Sequence, residues 1–221
     1  MERCKAFKFR TPTSVLIAGP SGCGKTVFTS NLLLHNKTLF DNSLKVKQKT
    51  VPIHYCYGSW QKGFETLQKQ GIKFHEGIPE KESLSKWFPE GGVMVLDDLM
   101  DEGSNDKSVM DLFTKDSHHQ GITVLYLCQD LFPNGRFAKT ISRNAHYIVA
   151  FKNPRDQLGI KNLLLQSYPT RWHDVLETFR KVTERPFGYL LLDLHPASRD
   201  DQRILSHLLK DEGFVRCHQL T

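Results

Sequence analysis

A three-layer α/β fold around a mainly parallel central sheet is what this sequence predicts, on three observations. The first is an apolar run, Ser14-Val15-Leu16-Ile17-Ala18, that passes through Gly19-Pro20-Ser21-Gly22-Cys23-Gly24 into Lys25-Thr26 and the stretch Val27 to Leu34. The second is Val93-Met94-Val95-Leu96, which ends in Asp97-Asp98, and the third is the run Ile122 to Cys128, which ends in Gln129. Short, nearly continuous apolar strands separated by helical stretches read as buried parallel strands with helices on both faces.

The stretch from Ser14 to Leu34 reads strand, glycine-rich turn, helix, the context a P-loop requires. The glycines let the backbone curl so that successive N–H groups point at phosphate oxygens, and the helix start adds partial positive charge. Gly19, Pro20, Ser21, Gly22, Cys23, Gly24, Lys25, Thr26 and Val27 are therefore the expected ATP-binding residues. Lys25 would reach the β- and γ-phosphates, and the Thr26 hydroxyl would sit on Mg²⁺. A turn with no ligand does not require Lys-Thr after its last glycine.

The chain has 221 residues, a normal size for one α/β domain. Hydrophobic residues at 39% and charged residues at 24% are ordinary for a soluble globular protein, and no apolar run approaches a membrane span. The N-terminus, Met-Glu-Arg-Cys-Lys-Ala-Phe-Lys, lacks the apolar core of a secretory signal, so an intracellular protein with no membrane partner is expected. Five scattered cysteines (Cys4, Cys23, Cys56, Cys128, Cys217), with no CxxC pair, argue against a disulfide framework and a zinc site. A net charge of +6 fits a polyanion partner only weakly. Lys37, Lys45, Lys47 and Lys49 cluster in a loop that reads equally as a nucleic-acid contact and as a solubilising surface.

After the first helix, Val51 to Tyr57 predicts a second buried strand, Trp60 to Gln70 a helix, and Ile72 to Phe74 a short strand. The run Val93 to Leu96, released by Gly91-Gly92, puts Asp97 at the strand's carboxyl edge, where it can hold Mg²⁺ through water. Asp98 is then placed to polarise an attacking water, with a helix cap or turn as its bland alternative. The interval between the two motifs leaves room for an extra strand at Val51 to Tyr57, as in the additional-strand, RecA-like P-loop NTPases rather than nucleotide kinases.

Ser108 to His118 predicts a helix with Val109, Leu112 and Phe113 on one face. Its end, His118-His119, is a poor metal pair, because adjacent helical residues diverge by about 100°. Gln129 ends a strand next to the P-loop and could present its amide to the γ-phosphate or the attacking water. Phe132 to Arg136 reads as a loop, His146 to Phe151 as a strand, and Asp156 as the cap of a helix Gln157 to Ser167. Arg171 to Arg180 is a further amphipathic helix, Gly188 to Leu194 a last strand, and residues from about 197 to 221 a polar helical tail.

In this order, Gly-Pro-Ser-Gly-Cys-Gly-Lys-Thr, Leu-Asp-Asp-Leu-Met, Leu-Phe-Thr-Lys-Asp-Ser-His-His, Tyr-Leu-Cys-Gln-Asp-Leu-Phe, Thr-Ile-Ser-Arg-Asn-Ala-His-Tyr, Phe-Lys-Asn-Pro-Arg-Asp and Tyr-Leu-Leu-Leu-Asp-Leu carry a resemblance. The chain resembles the DNA-packaging ATPases of Polinton/Maverick elements and adintoviruses, a branch of the FtsK-HerA superfamily related to poxvirus-type packaging ATPases. The likeness covers roughly residues 12 to 195. It implies an ATP-hydrolysing motor that threads double-stranded DNA, without sequence preference, into a preformed capsid. The partners it implies are DNA, capsid proteins and further copies of the chain in a homo-oligomeric ring, expected as a hexamer. The expected location is the host nucleus or cytoplasm, and the virion.

The resemblance also implies roles: Lys25 and Thr26 at nucleotide and Mg²⁺, Asp97 and Asp98 as the acid pair, and Gln129 as sensor. An arginine from the neighbouring subunit often completes such sites, and Arg143 and Arg155 are the two candidates, with Arg136 a weaker third. Two positions depart from the pattern: Asp98 replaces the Glu common in the superfamily, and Lys139 stands where Arg is expected. Two alternatives stay open, another P-loop enzyme such as a nucleotide kinase and a nucleotide-gated DNA-binding scaffold that barely turns over.

Overall fold

The computed structural model describes residues 2–3, 7–41, 51–99, 103–132 and 134–220. Among the described residues ten strands form one sheet: β1 (Glu2–Arg3), β2 (Ser14–Ala18), β3 (Ile53–Tyr57), β4 (Lys73–Glu76), β5 (Gly92–Asp97), β6 (Ile122–Cys128), β7 (Tyr147–Phe151), β8 (Tyr189–Asp193), β9 (Ile204–Ser206) and β10 (Arg216–Cys217). Their spatial order is β1-β10-β9-β8-β7-β2-β6-β5-β3-β4. From β7 across to β4 every pairing is parallel, and from β7 out to β1 every pairing is antiparallel.

The central strands are apolar along their whole length because both faces are covered. All residues of β2, β5, β6 and β7 are buried, as a parallel sheet between two helical layers requires. Alternation then divides the core in two. Val15 and Ile17 meet Phe28, Leu32 and Leu33 of helix α1 (Lys25–Leu34) on one face. Leu16 and Tyr126 join Val109, Leu112 and Phe113 on the other, in a helical stretch that begins at Lys107 and contains a π turn at Leu112–Asp116. That second core also takes Leu163 and Leu164 of the helix Gln157–Ser167 and Val175 of the helix Trp172–Val182. The expected cap is present, since the Asp156 carboxylate accepts from the Gly159 N–H at 2.7 Å.

Several sequence expectations are corrected. The strand lying between the P-loop strand β2 and the acid-bearing strand β5 is β6, whereas β3, the strand proposed for that place, lies on the far side of β5. Room in the chain between two motifs does not say where the intervening strand inserts. Strand β3 begins at Ile53 rather than Val51, because Pro52 has no N–H for the ladder and contributes only its carbonyl, which accepts from the Val93 N–H at 3.0 Å. The helix expected from Trp60 spans Phe64–Lys69, and the strand expected at Ile72 to Phe74 spans Lys73–Glu76. Trp60 packs instead edge-on against Tyr57 and Phe64.

The C-terminal segment is not a helical tail. It forms 3₁₀ turns at Asp200–Gln202 and Lys210–Glu212 and the strands β9 and β10. Strand β8 would otherwise present an unpaired apolar edge, and β9 covers it with Leu205 opposite Leu191 and Ile204 opposite Leu192. Arg203 locks the turn by donating to the carbonyls of Asp193, His195 and Ser198. Cys4, Lys45, Lys47 and Lys49 lie outside the described residues, and Lys37 is exposed. Among the described residues no helix is long and apolar enough to cross a membrane, and no group of three or more His, Cys, Asp or Glu could hold a metal.

Candidate functional site

The carboxyl ends of three adjacent strands set the site. Ala18 of β2 is level with Cys128 of β6, and Asp97 of β5 is level with Leu127 of β6. Each chain segment leaves the sheet at this edge, which in open α/β sheets is where ligands bind. A cavity of about 330 Å³ opens there. The loop and α1 line it with Ser21, Gly22, Gly24, Lys25, Thr26 and Val27, the strand ends with Asp97, Asp98 and Gln129.

The loop needs its glycines for specific reasons. Gly22 and Gly24 have φ of 77° and 103°, a region that side chains other than glycine rarely adopt. A Cβ on Gly19 would come within 2.7 Å of both Cys23 Sγ and Phe151 Cβ. The resulting turn aims the start of α1 into the cavity, and the Lys25 ammonium folds back to donate to the carbonyls of Gly19 and Pro20. Cys23 belongs to the turn, and burial pushes its thiol pKa up. At the end of β6 burial pushes the Cys128 thiol up to about 12, so neither is a ready thiolate.

Asp97 is buried, and burial raises its pKa. A hydrogen bond from Tyr55, the charge of Lys25 and a backbone hydrogen bond from Asp98 work against that rise, while the charge of Asp98 adds to it. The Tyr55 hydroxyl donates to Asp97 Oδ2 at 2.6 Å, reaching diagonally from the neighbouring strand β3. One carboxylate oxygen is thereby held, and Asp97 lines the cavity. Asp98 is exposed and turns the chain with φ of 56°. Its carbonyl lies so close to Gly58 that a Cβ there would sit 2.2 Å away.

The donor set suits a hard cation bound to phosphate oxygens. It combines a hydroxyl (Thr26) and a buried carboxylate (Asp97) for the cation with an ammonium (Lys25) and a helix start for the phosphates, all lining one cavity. Thr26 and Asp97 are the residues that could hold the metal, and the turn from Gly19 to Gly24 is the phosphate cradle.

Five of the seven residues expected to take part in chemistry or metal binding therefore converge: Lys25, Thr26, Asp97, Asp98 and Gln129. The other two do not. Arg143 ends the helix Ala138–Arg143, Arg155 lies in the turn before Asp156, and both are exposed and outside the cavity lining. Arg136 is also exposed, with its guanidinium over its neighbour Phe137. His119 is exposed, and the His118 side chain lies outside what is described. Three contributors escaped sequence reading. Tyr55, Gln61 and Phe187 carry no local motif that marks them as site residues.

A mostly parallel sheet between helical layers, with the P-loop and acid-bearing strands separated by β6, is the RecA-like P-loop NTPase fold. Among solved structures the chain is similar to B204, the DNA-packaging ATPase of Sulfolobus turreted icosahedral virus, at 13% identity and a TM-score of 0.57, over 88% of this chain and 96% of that one. It is also similar to the genome-packaging NTPase B204 of Sulfolobus turreted icosahedral virus 2 in complex with AMP, at 10% identity and a TM-score of 0.51, over 94% of this chain and 97% of that one. A KaiC-like protein of Pyrococcus horikoshii OT3 aligns at 11% identity with a TM-score of 0.50, over 98% of this chain and 99% of that one. At such identities the likeness establishes the fold alone. No protein-family model matches the sequence, and a comparison with curated proteins finds no significant relative.

Proposed function

We propose that this chain hydrolyses ATP to drive double-stranded DNA into a capsid, in a virus or virus-like transposon of the Polinton and adintovirus kind. The observation that carries the reading is the convergence of Lys25, Thr26, Asp97, Asp98 and Gln129 on one cavity at the carboxyl edge of the sheet. The fold it shares with two viral packaging NTPases over nearly the whole chain supports the same reading.

In this mechanism the turn from Gly19 to Gly24 and Lys25 hold the β- and γ-phosphates, while Thr26 and Asp97 hold Mg²⁺. When bound, the metal neutralises charge on the phosphate oxygens. Asp98 orients and polarises the attacking water, which adds to the γ-phosphorus as the bond to the bridging oxygen breaks, releasing ADP and phosphate. Gln129 reads the presence of the γ-phosphate from the neighbouring strand. Arg143 and Arg155, exposed and outside their own chain's cavity, are left for a neighbouring subunit's site in a ring. The working place of such a motor is inside the host cell and on the virion.

The test is phosphate release by the purified protein with and without long duplex DNA, together with Lys25→Ala and sizing of the assembly with an ATP analogue. Release stimulated by DNA and lost in Lys25→Ala is expected. A chain that releases phosphate equally well without Lys25, or that transfers it to a nucleoside, is not this motor.

A further inference from the structure

The cavity that gathers the charged residues also carries two exposed apolar side chains, Val27 at 63% and Phe187 at 66% exposure. Phe187 is the unusual one. It stands in the turn between the helix Trp172–Val182 and strand β8, with φ of 60°. A bulky residue in the left-handed region is sterically costly, and an exposed ring gains little from burial to offset that. Strain of this kind persists where the surroundings over-determine it, commonly at ligand sites.

The surroundings do over-determine it. Gly188 follows so tightly that a Cβ there would lie 2.2 Å from the Val182 carbonyl, and its N–H donates to the Arg185 carbonyl at 3.1 Å. Arg185 is in turn ion-paired with Glu212, which ties the turn to the C-terminal segment. The Phe187 ring is thereby held against the phosphate cradle, 3.0 Å from where a Cβ on Gly24 would stand. A rigid, solvent-facing aromatic face next to a cradle for phosphates matches the two halves of a nucleotide, an anionic tail and a flat base.

We propose that Phe187 is the stacking platform for the base of the bound nucleoside triphosphate. The proposal rests on the nucleotide-binding reading above and adds the residue that recognises the base. Stacking on an aromatic face is tolerant of base identity, so Phe187 sets affinity for nucleotides over base-free polyphosphates rather than ATP over GTP.

The test compares two probes in the presence of Mg²⁺, the methylene analogue AMPPCP and inorganic tripolyphosphate, by calorimetric titration of the wild type, Phe187→Asn and Phe187→Tyr. Asn tolerates the left-handed backbone, so that variant removes the ring and keeps the turn, which a thermal melt verifies. Phe187→Asn is expected to weaken AMPPCP by about tenfold or more and to leave tripolyphosphate unchanged, with Phe187→Tyr close to wild type. Equal weakening of both probes, or of neither, overturns the stacking role. A wild type that binds tripolyphosphate as tightly as AMPPCP does the same while sparing the cradle. A wild type that binds neither overturns the nucleotide reading itself.

Discussion

Replacing Tyr55 with Phe removes one hydroxyl from a fully buried ring and strands one oxygen of Asp97. The lost bond is short, 2.6 Å, and its acceptor is a carboxylate, so about 1.5–3 kcal/mol of stability should go with it. For a chain of 221 residues that corresponds to a fall of roughly 3–12 °C in melting temperature. The pH dependence is the sharper test. Burial holds the Asp97 pKa above its unfolded value, and Tyr55 is the largest influence pulling it down. Removing Tyr55 raises that pKa further, and the penalty applies to the ionised carboxylate. The Tyr55→Phe deficit should therefore be greatest at alkaline pH and shrink as pH falls and Asp97 takes up its proton. Melting curves at several pH values, paired with phosphate-release profiles whose acid limb should move to higher pH, decide the matter. A deficit below about 1 °C at every pH, or one that grows toward acid, would refute the argument that Tyr55 stabilises ionised Asp97.

Asp97→Asn removes a buried charge whose folded pKa is raised. Stability of the wild type falls as pH rises through that folded pKa, so the variant should melt higher than wild type at alkaline pH, converge with it in acid, and lose phosphate release. Gly58→Ala would push a methyl against the Asp98 carbonyl, 2.2 Å from the new Cβ; about 1–3 kcal/mol of lost stability and a sharp drop in turnover are expected by denaturant titration and phosphate assay. Gly24→Ala, at φ of 103° and against the Phe187 ring, should weaken AMPPCP and tripolyphosphate together in calorimetry, because it deforms the cradle that both probes use as well as crowding the ring. If the chain moves duplex DNA of any sequence through phosphate contacts, its DNA affinity should fall steeply with added salt and vary little between sequences in anisotropy titrations; affinity indifferent to salt excludes that mode.

Asp97, Asp98 and Gln129 were readable because they follow contiguous apolar runs, and Lys25 and Thr26 because they follow a glycine-rich turn at a helix start, where strand and turn chemistry are local. Asp156 as a helix cap was readable for the same reason: the group it bonds is three residues away. The strands β9 and β10 were not, because Asp, Arg and Gln in that segment look solvated until β8 supplies an edge to cover. Tyr55 looks like one more residue of a buried strand, and its role depends on β3 pairing with β5 in one register out of several.

Local order along the chain therefore settles which groups can carry chemistry: a glycine turn in front of Lys-Thr and acids at a strand's end hold their relation to the backbone in any arrangement of the sheet. Long-range pairing settles what those groups face. It sets β6 rather than β3 between the P-loop and the acids, turns the Tyr55 hydroxyl onto Asp97, and holds the Phe187 ring over the cradle. Strand order and register arise from contacts between residues far apart in sequence, where no short-range pattern points to the partner.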